Sequence, residues 1–88
     1  MANTIHLKVA TADRLLVDSE VSAVECPCTT GYIGVLPGHA PLVSTLGFGT
    51  LTYTPAGAGS QKNVTVKSGF IQVLDNSVRV LADSAEII

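Results

Sequence analysis

His39 is the residue of this sequence best suited by type to catalysis. A catalytic histidine needs a nucleophile and an orienting acid beside it. Ser44, Ser68 and Asp83 supply these residue types, but no serine lies in a nucleophile elbow of the form G-x-S-x-G. A histidine between glycine and alanine in a proline-fixed turn more often holds loop carbonyls or a partner residue by hydrogen bonds. We therefore expect His39 to be a hydrogen-bonding strut and not a catalytic residue.

Two cysteines, Cys26 and Cys28, flank Pro27. On an extended backbone, residues two apart point to the same side, so both sulfurs could face one ligand. A metal site would need two further ligands, and the histidines available are His6 and His39. A disulfide between the two cysteines would close a very short, strained ring. The sequence favours two ordinary reduced thiols over a metal site.

The charge pattern indicates a protein that covers part of its surface with a partner. Charged residues make up 14 % of the chain, against about 25 % in a typical soluble domain. The stretch from Cys26 to Gln61 has no charged residue, and exposed apolar patches usually mark interaction sites. The net charge of −2 and the lack of a basic patch argue against nucleic-acid binding.

Direct membrane contact is not predicted. The long uncharged stretch holds all four prolines, and threonines interrupt its apolar runs before they reach about 18–20 residues. The chain has no basic amphipathic helix for a membrane surface. Its first residues, MANTIHLKVA, lack the basic and apolar regions of a signal peptide. We therefore expect an intracellular protein.

Alternating apolar and polar residues predict strands along most of the chain. The segments are TIHLKVA, RLLV, EVSAVEC, FGTLTYT, NVTVKSGFIQVL with a break at Gly69, and SVRVLA. The pair Asp18-Ser19 is expected to form a turn between RLLV and EVSAVEC, and Asp75-Asn76 a tight hairpin turn. Several short strands separated by turn residues predict a β-sandwich or barrel.

The chain is predicted to form a single domain over residues 1–88, since it contains no repeat or linker. No window of the sequence shows a competing helical period. The last residues, ADSAEII, could begin a helix capped by Asp83 or Ser84, with Glu86 in its first turn.

The segment GYIGVLPGHAPLV, residues 31–43, is predicted to be a rigid surface loop. Leu36-Pro37-Gly38-His39 has the residues of a type II turn, with proline at the second position and glycine at the third. Pro41 keeps the residue before it extended. A loop with fixed torsions loses little entropy on docking, which suits a surface presented to a partner.

At this loop the sequence strongly resembles the epsilon subunit family of F-type ATP synthases. The family is marked by a G-x-x-G-x-x-P-G-H-A-P-L run, which matches GYIGVLPGHAPL here. HLKVATADRLLVDSEV resembles the first two strands of the family, and VKSGFIQVLDNSVRVLADSAE resembles its closing strands. The resemblance covers nearly the whole chain and implies an all-β fold, a flattened ten-stranded β-sandwich.

The resemblance also implies a function. Members of the family are non-catalytic subunits of the central stalk, the rotor. They link the gamma subunit to the c ring and so couple ion translocation to ATP synthesis and hydrolysis. For this chain we therefore expect those two partners, no cofactor, no nucleic acid, and membrane contact only through the complex. The expected location is peripheral, on the cytoplasmic side of the bacterial inner membrane or in the equivalent organellar compartment.

Site residues follow from the family motif position by position. The c-ring side would comprise Gly31, Tyr32, Ile33 and Gly34, and the gamma side Pro37, Gly38, His39, Ala40, Pro41 and Leu42. Many family members carry an acidic residue where this chain has Tyr32. We therefore expect stacking or hydrogen bonding at this position instead of a charge pair.

The family usually continues into a C-terminal hairpin of two helices, which inhibits ATP hydrolysis and in some members binds ATP through an I/L-D-x-x-R-A motif. This sequence stops at Ile88, before that motif. It is expected to lack the helical hairpin and an ATP site, either because it is cut at a domain boundary or because it is a naturally short form.

Two other functions remain as alternatives. One is a free-standing β-sandwich module that binds a different partner, against which the specificity of the loop motif counts. The other is a small hydrolase that uses His39, which lacks a credible nucleophile.

Overall fold

The computed structural model describes residues 4–88, which fold into seven β-strands without a helix. The all-β prediction is confirmed. The predicted domain begins at residue 1, and residues 1–3 lie outside the described part. The strands are β1 (Ile5–Ala10), β2 (Leu15–Cys28), β3 (Gly31–Val35), β4 (Leu42–Thr45), β5 (Phe48–Pro55), β6 (Lys62–Leu74) and β7 (Ser77–Ile87). Residues 4–88 thus offer no helix of the length and apolarity needed to cross a membrane.

Alternating burial explains why these segments form strands. In β1, Ile5, Leu7 and Val9 are buried, whereas the polar residues between them are at least partly exposed. In β5, Leu51 and Tyr53 are buried and are flanked by threonines. Side chains of a strand point alternately to its two faces, so each strand contributes one apolar face to the core.

Two local predictions were wrong, and long-range pairing explains both. Asp18-Ser19 does not form a turn, because these residues pair with β1 and lie inside the continuous strand β2. The segment from Asp83 to Ile87 forms the end of β7 and not the start of a helix, because residues 84–87 pair with residues 64–67 of β6. Pairing with a neighbouring strand overrides weak local preferences.

Three long strands, β2, β6 and β7, run through both layers. β2 and β6 change partners along their length, whereas β7 pairs with β6 throughout and with β1 only in its first half. Residues 15–21 of β2 pair with β1, and its later residues pair with β5 and β3. In β6, the first half pairs with β5 and the end of β7, and the second half pairs with β4 and the start of β7. The structure therefore has seven continuous strands where ten were expected. Counting the halves of these three strands separately gives ten strand segments, five in each layer of a β-sandwich.

A kink at Ser68-Gly69 allows β6 to pass between the layers. Both residues have positive φ, 52° and 124°, and the buried positions shift from Val64 and Val66 before the kink to Ile71 and Val73 after it. A side chain at Gly69 would overlap a backbone carbonyl of β7. The break predicted at this glycine is thus a bend within one strand.

The core lies between the two layers and is apolar. Pairings also close a circuit of five strands, in the order β1-β7-β6-β5-β2 and back to β1. Within residues 4–88, the first half of β2 pairs with β1 alone, the end of β7 pairs with β6 alone, and the short strands β3 and β4 each pair with a single partner. These four segments form the edges of the two layers. The buried hydrophobic residues are Ile5, Leu7, Val9, Val17, Val21, Val24, Cys26, Cys28, Val35, Leu46, Leu51, Tyr53, Val64, Val66, Ile71, Val73, Val78, Val80 and Ala82.

Candidate docking surface

Residues 31–42, here called the docking run, connect the edges of the two layers. The predicted c-ring residues, 31–34, lie in β3, which pairs with the second half of β2. The predicted gamma residues, 37–42, form most of the β3–β4 loop (residues 36–41) and begin β4, which pairs with β6. The two predicted sets are therefore contiguous but belong to different layers of the sandwich.

In the β3 part of the docking run, apolar side chains pack into the core, and two exposed positions have no side chain. Val35 is buried and Ile33 packs against the core. Gly31 and Gly34 are exposed, and a Cβ added at either residue would meet no atom within 4 Å. A partner backbone can approach such side-chain-free positions closely.

Tyr32 is the large side chain exposed on β3, with 58 % of its surface accessible. Its phenolic oxygen lies 3.5 Å from the amide nitrogen of Thr50 on β5. A Cβ at Gly49 would come within 2.7 Å of that oxygen and 2.9 Å of Pro27 Cβ. Gly49 therefore makes room for the tyrosine. Sequence reasoning missed this role, although Gly49 lies in the predicted strand FGTLTYT.

The type II turn predicted at Leu36-Pro37-Gly38-His39 is confirmed. The His39 amide donates to the Leu36 carbonyl oxygen at 3.1 Å, and Gly38 has a φ of 87°. Both values match a type II turn, in which the third residue requires positive φ. Proline and glycine thus fix the shape of the loop locally.

His39 contacts its own loop. Its Nδ1–H donates to the carbonyl oxygen of Ala40 at 2.6 Å, which leaves Nε2 of a neutral ring as an acceptor. Among residues 4–88, no serine or carboxylate hydrogen-bonds to this ring. The predicted strut role is confirmed in this form, since the histidine holds a loop carbonyl.

Asn76 is a residue of this surface that sequence reasoning did not identify. It lies in the β6–β7 turn, and its Oδ1 accepts a hydrogen bond from the Gly38 amide at 2.7 Å. The two residues are 38 positions apart. No short-range pattern reports such a pairing, and only the predicted Asp75-Asn76 turn pointed to the residue.

The surface around the docking run is mostly apolar and carries little charge. Tyr32, Leu36 and Val43 are between 58 % and 69 % exposed. A shallow groove of about 420 Å³ runs beside Gly34 and Leu36, and Glu25 is the charged residue that lines it. Exposed apolar groups beside a small number of polar ones are typical of a protein-binding surface.

The charged cluster of the described structure lies elsewhere, on β1 and β2. His6 Nδ1 lies 2.5 Å from a Glu20 carboxylate oxygen, its Nε2 contacts Asp18, and Thr4 donates to Glu20 at 2.8 Å. The hydrogen bond to Glu20, followed by that to Asp18, raises the pKa of His6. The hydrogen bonds from Thr4 and His6 lower the pKa of Glu20.

Cys26 and Cys28 are free thiols buried on the same side of β2, as predicted. Burial, with the neighbouring Cys28 adding to it, raises the pKa of Cys26 well above its usual range, so this thiol is protonated and unreactive. Within residues 4–88 there is no group of three or more His, Cys, Asp or Glu residues that could hold a metal ion.

The sequence matches a family model over residues 4–88, described as the β-sandwich domain of the ATP synthase delta/epsilon chain. The chain belongs to this family. It is 51 % identical to the ATP synthase epsilon chain of Solibacter usitatus and 38 % identical to that of Koribacter versatilis, in each case over 98 % of its own length. It spans 63 % and 59 % of these relatives.

Solved structures show the same fold. A chain of the mitochondrial ATP synthase of Euglena gracilis, solved as an OSCP/F1/c-ring assembly, matches 99 % of this delta/epsilon family member. The match has a TM-score of 0.89 and 27 % identity and covers 55 % of the Euglena chain. A chain from the central stalk and c ring of the Tetrahymena thermophila enzyme has a TM-score of 0.79 at 10 % identity, which supports the fold alone. This match covers 94 % of the present chain and 66 % of the Tetrahymena chain.

Proposed function

We propose that residues 1–88 form one β-sandwich domain and that this domain acts as part of a non-catalytic rotor subunit of an F-type ATP synthase. It links the gamma subunit to the c ring and couples ion translocation to ATP synthesis and hydrolysis. The observation that carries the proposal is the docking run, an uncharged motif that joins the edges of both layers, in a chain that resembles epsilon chains over 98 % of its length.

The gamma side of the proposed interface is the rigid loop and the start of β4. Its residues are Pro37, Gly38, His39, Ala40, Pro41 and Leu42. The turn is held by proline, by glycine and by the bond from His39 to its neighbouring carbonyl. A loop that is already ordered loses little conformational entropy when a partner binds. His39 Nε2 and the exposed Leu36 offer one acceptor and one apolar contact.

The c-ring side of the proposed interface is β3, with Gly31, Tyr32, Ile33 and Gly34. The glycines let a polar loop of the ring approach the strand, and Tyr32 offers an aromatic face with a hydroxyl group. With no acidic residue at position 32, the contact is based on packing and hydrogen bonding. We expect it to depend less on salt than an ion pair would.

The proposed role requires transmission of torque and no turnover of substrate. A sandwich whose long strands pass from one layer to the other ties the two docking edges into one unit. Rotation of the ring is then transmitted to the gamma side through paired backbone. The proposed location is peripheral, at the cytoplasmic face of the bacterial inner membrane or the organellar equivalent, and membrane contact is made only through the complex. No ATP site, cofactor or nucleic-acid partner is assigned to this length of chain.

The test is binding of the protein to isolated gamma subunit by calorimetry. We expect a one-to-one complex. A folded sample that binds no gamma would contradict the gamma half of the proposal.

The c-ring half has a matched pair of variants. Gly34 and Gly59 both have open space around them and φ values that other residues adopt. We expect Gly34→Gln to weaken binding to detergent-solubilised c ring with bound gamma, whereas Gly59→Gln, in the β5–β6 loop (residues 56–61), leaves it unchanged. Equal binding by the wild-type protein and both variants would contradict the placement of β3 against the ring.

A further inference from the structure

Asn76 occupies the second central position of the β6–β7 turn. Asp75 and Asn76 have φ values of 50° and 57°, the left-handed pair that defines a type I′ turn. The carbonyl oxygen of Asn76 accepts the His6 amide at 2.9 Å, which ties the turn to the start of β1. The backbone of Asn76 is therefore held on two sides, and its side chain starts from a fixed position.

The amide of Gly38 needs an acceptor that its own turn does not provide. In a type II turn the hydrogen bond is made by the amide of the fourth residue, here His39. Pro37 has no amide hydrogen. The Gly38 amide instead donates to Asn76 Oδ1 at 2.7 Å. Within residues 4–88, this is the hydrogen bond that joins the β3–β4 loop to the rest of the molecule.

The residue type at position 76 is informative. Glycine is the residue that type I′ turns prefer at this position. Asparagine tolerates the same backbone and adds a side-chain acceptor. The turn alone would be served at least as well by glycine, so the side chain of Asn76 serves its contact with Gly38.

We propose that Asn76 is a positioning residue that sets the orientation of the β3–β4 loop for its partner. The proposal rests on the proposed function, since the partner at this loop is the gamma subunit assigned there. Pro37 and Gly38 determine the conformation of the loop, and Asn76 determines the position and orientation of the loop relative to the sandwich. The loop is thereby connected to β1, β6 and β7, of which β6 and β7 run through both layers.

Three variants separate this role from a general effect on stability. Asn76→Gly removes the acceptor and keeps a favourable turn residue. Asn76→Asp keeps an acceptor oxygen and tolerates the same φ. Asp75→Gly changes the neighbouring turn position in the same way as Asn76→Gly and leaves the Gly38 contact intact.

The first readout is the Gly38 amide, followed by hydrogen exchange in NMR spectra of the free protein. We expect Asn76→Gly to speed this exchange about tenfold, because the amide loses its acceptor. Asp75→Gly and Asn76→Asp should leave it within about twofold of the wild-type rate. Unchanged exchange in Asn76→Gly would overturn the proposal.

The second readout is affinity for isolated gamma subunit. We expect Asn76→Gly to weaken binding by about three- to tenfold with an unchanged melting temperature, and Asn76→Asp to restore most of the loss. Equal losses in Asn76→Gly and Asp75→Gly would overturn the positioning role. If the wild-type protein itself did not bind gamma, the proposed function would fail, and with it the partner role of Asn76. The Gly38 amide would then still report whether Asn76 holds the loop.

Discussion

The β3–β4 loop and the β5–β6 loop contain turns of similar geometry. Leu36-Pro37-Gly38-His39 and Pro55-Ala56-Gly57-Ala58 each close with a hydrogen bond of 3.1 Å between the first and fourth residues. The third residue of each is a glycine with positive φ, 87° and 76°, and open space around it. The backbone shape therefore does not distinguish the loop proposed to dock from the one that is not.

The two turns differ in what they present and in how they are attached. The first presents Leu36 and His39 and is attached through a side chain, Asn76. The second carries small residues and is attached through the backbone, because the Ala56 amide donates to the Glu20 carbonyl oxygen at 3.0 Å. We therefore assign docking to the first turn from its side chains and from the hydrogen bond that joins it to the sandwich. The turn type alone reports neither.

The largest effect is expected at a third glycine of positive φ, Gly69, which lies inside the fold. A side chain there would overlap the Leu81 carbonyl oxygen and lie 2.9 Å from Ala82 Cα. Backbone atoms cannot move aside as a flexible side chain can. We expect Gly69→Ala to lower the free energy of unfolding by about 3 kcal/mol or more, measured by urea denaturation. Gly57→Ala, which meets no atom, should cost only about 1 kcal/mol. Similar losses in both variants would show that the close approach at the kink is not what requires glycine.

The next effect concerns His39, whose counterpart in the second turn is Ala58. His39→Ala makes the fourth positions of the two turns the same. We expect it to weaken gamma binding by about 1–2 kcal/mol in calorimetry, because a partner loses the ring and the loop loses the bond to Ala40. Gln keeps a donor and an acceptor at this position, so His39→Gln should retain part of the affinity. A full-strength complex with His39→Ala would mean that the apolar residues alone make the contact.

The smallest effect concerns pH and the strand that holds the second turn. His6 contacts Asp18 and Glu20, and this contact raises the pKa of His6 above its ordinary value of 6.5. The stability that protonated His6 contributes through this contact is therefore fully present below pH 6.5. It is lost as pH rises through the raised pKa of His6 in the folded state. The pKa of Glu20 is lowered, so pH has the opposite effect on this residue. The stability that the Glu20 carboxylate contributes is lost as pH falls through its lowered pKa in the folded state.

Melting temperatures of the wild-type protein and His6→Gln should therefore differ most near pH 6 and converge as pH rises through the raised pKa of His6. Because these side chains are exposed, we expect a small difference that salt reduces further. A constant difference across this range would show that the charge of His6 does not contribute. Gamma affinity should not follow this titration, since the hydrogen bonds of these side chains join Thr4, His6, Asp18 and Glu20 to one another and do not reach the docking run.

The sequence predicted what is encoded locally. The alternation in TIHLKVA, the type II turn at Pro37-Gly38 and the tight turn at Asp75-Asn76 are all present in the structure. Backbone torsion preferences of a few neighbouring residues are sufficient for each of these features.

The remaining features depend on partners distant in the chain. The continuity of β2 through Asp18 and the strand at residues 84–87 follow from pairing with β1 and β6. The contact between Gly38 and Asn76 and the space that Gly49 leaves for Tyr32 join residues far apart. Strand register and side-chain contacts of this kind are set by packing of the whole domain, which a single sequence does not display.

The most direct test of the proposed docking run compares two matched glycine variants. Gly38→Ala and Gly57→Ala place the same methyl group at the same kind of φ in open space, so their effects on the free energy of unfolding should be nearly equal. The measurement is the calorimetric affinity of each variant for isolated gamma subunit. We predict a loss of about tenfold or more for Gly38→Ala and wild-type affinity for Gly57→Ala. Equal affinities of the two variants would contradict the assignment of this loop as the gamma-binding surface.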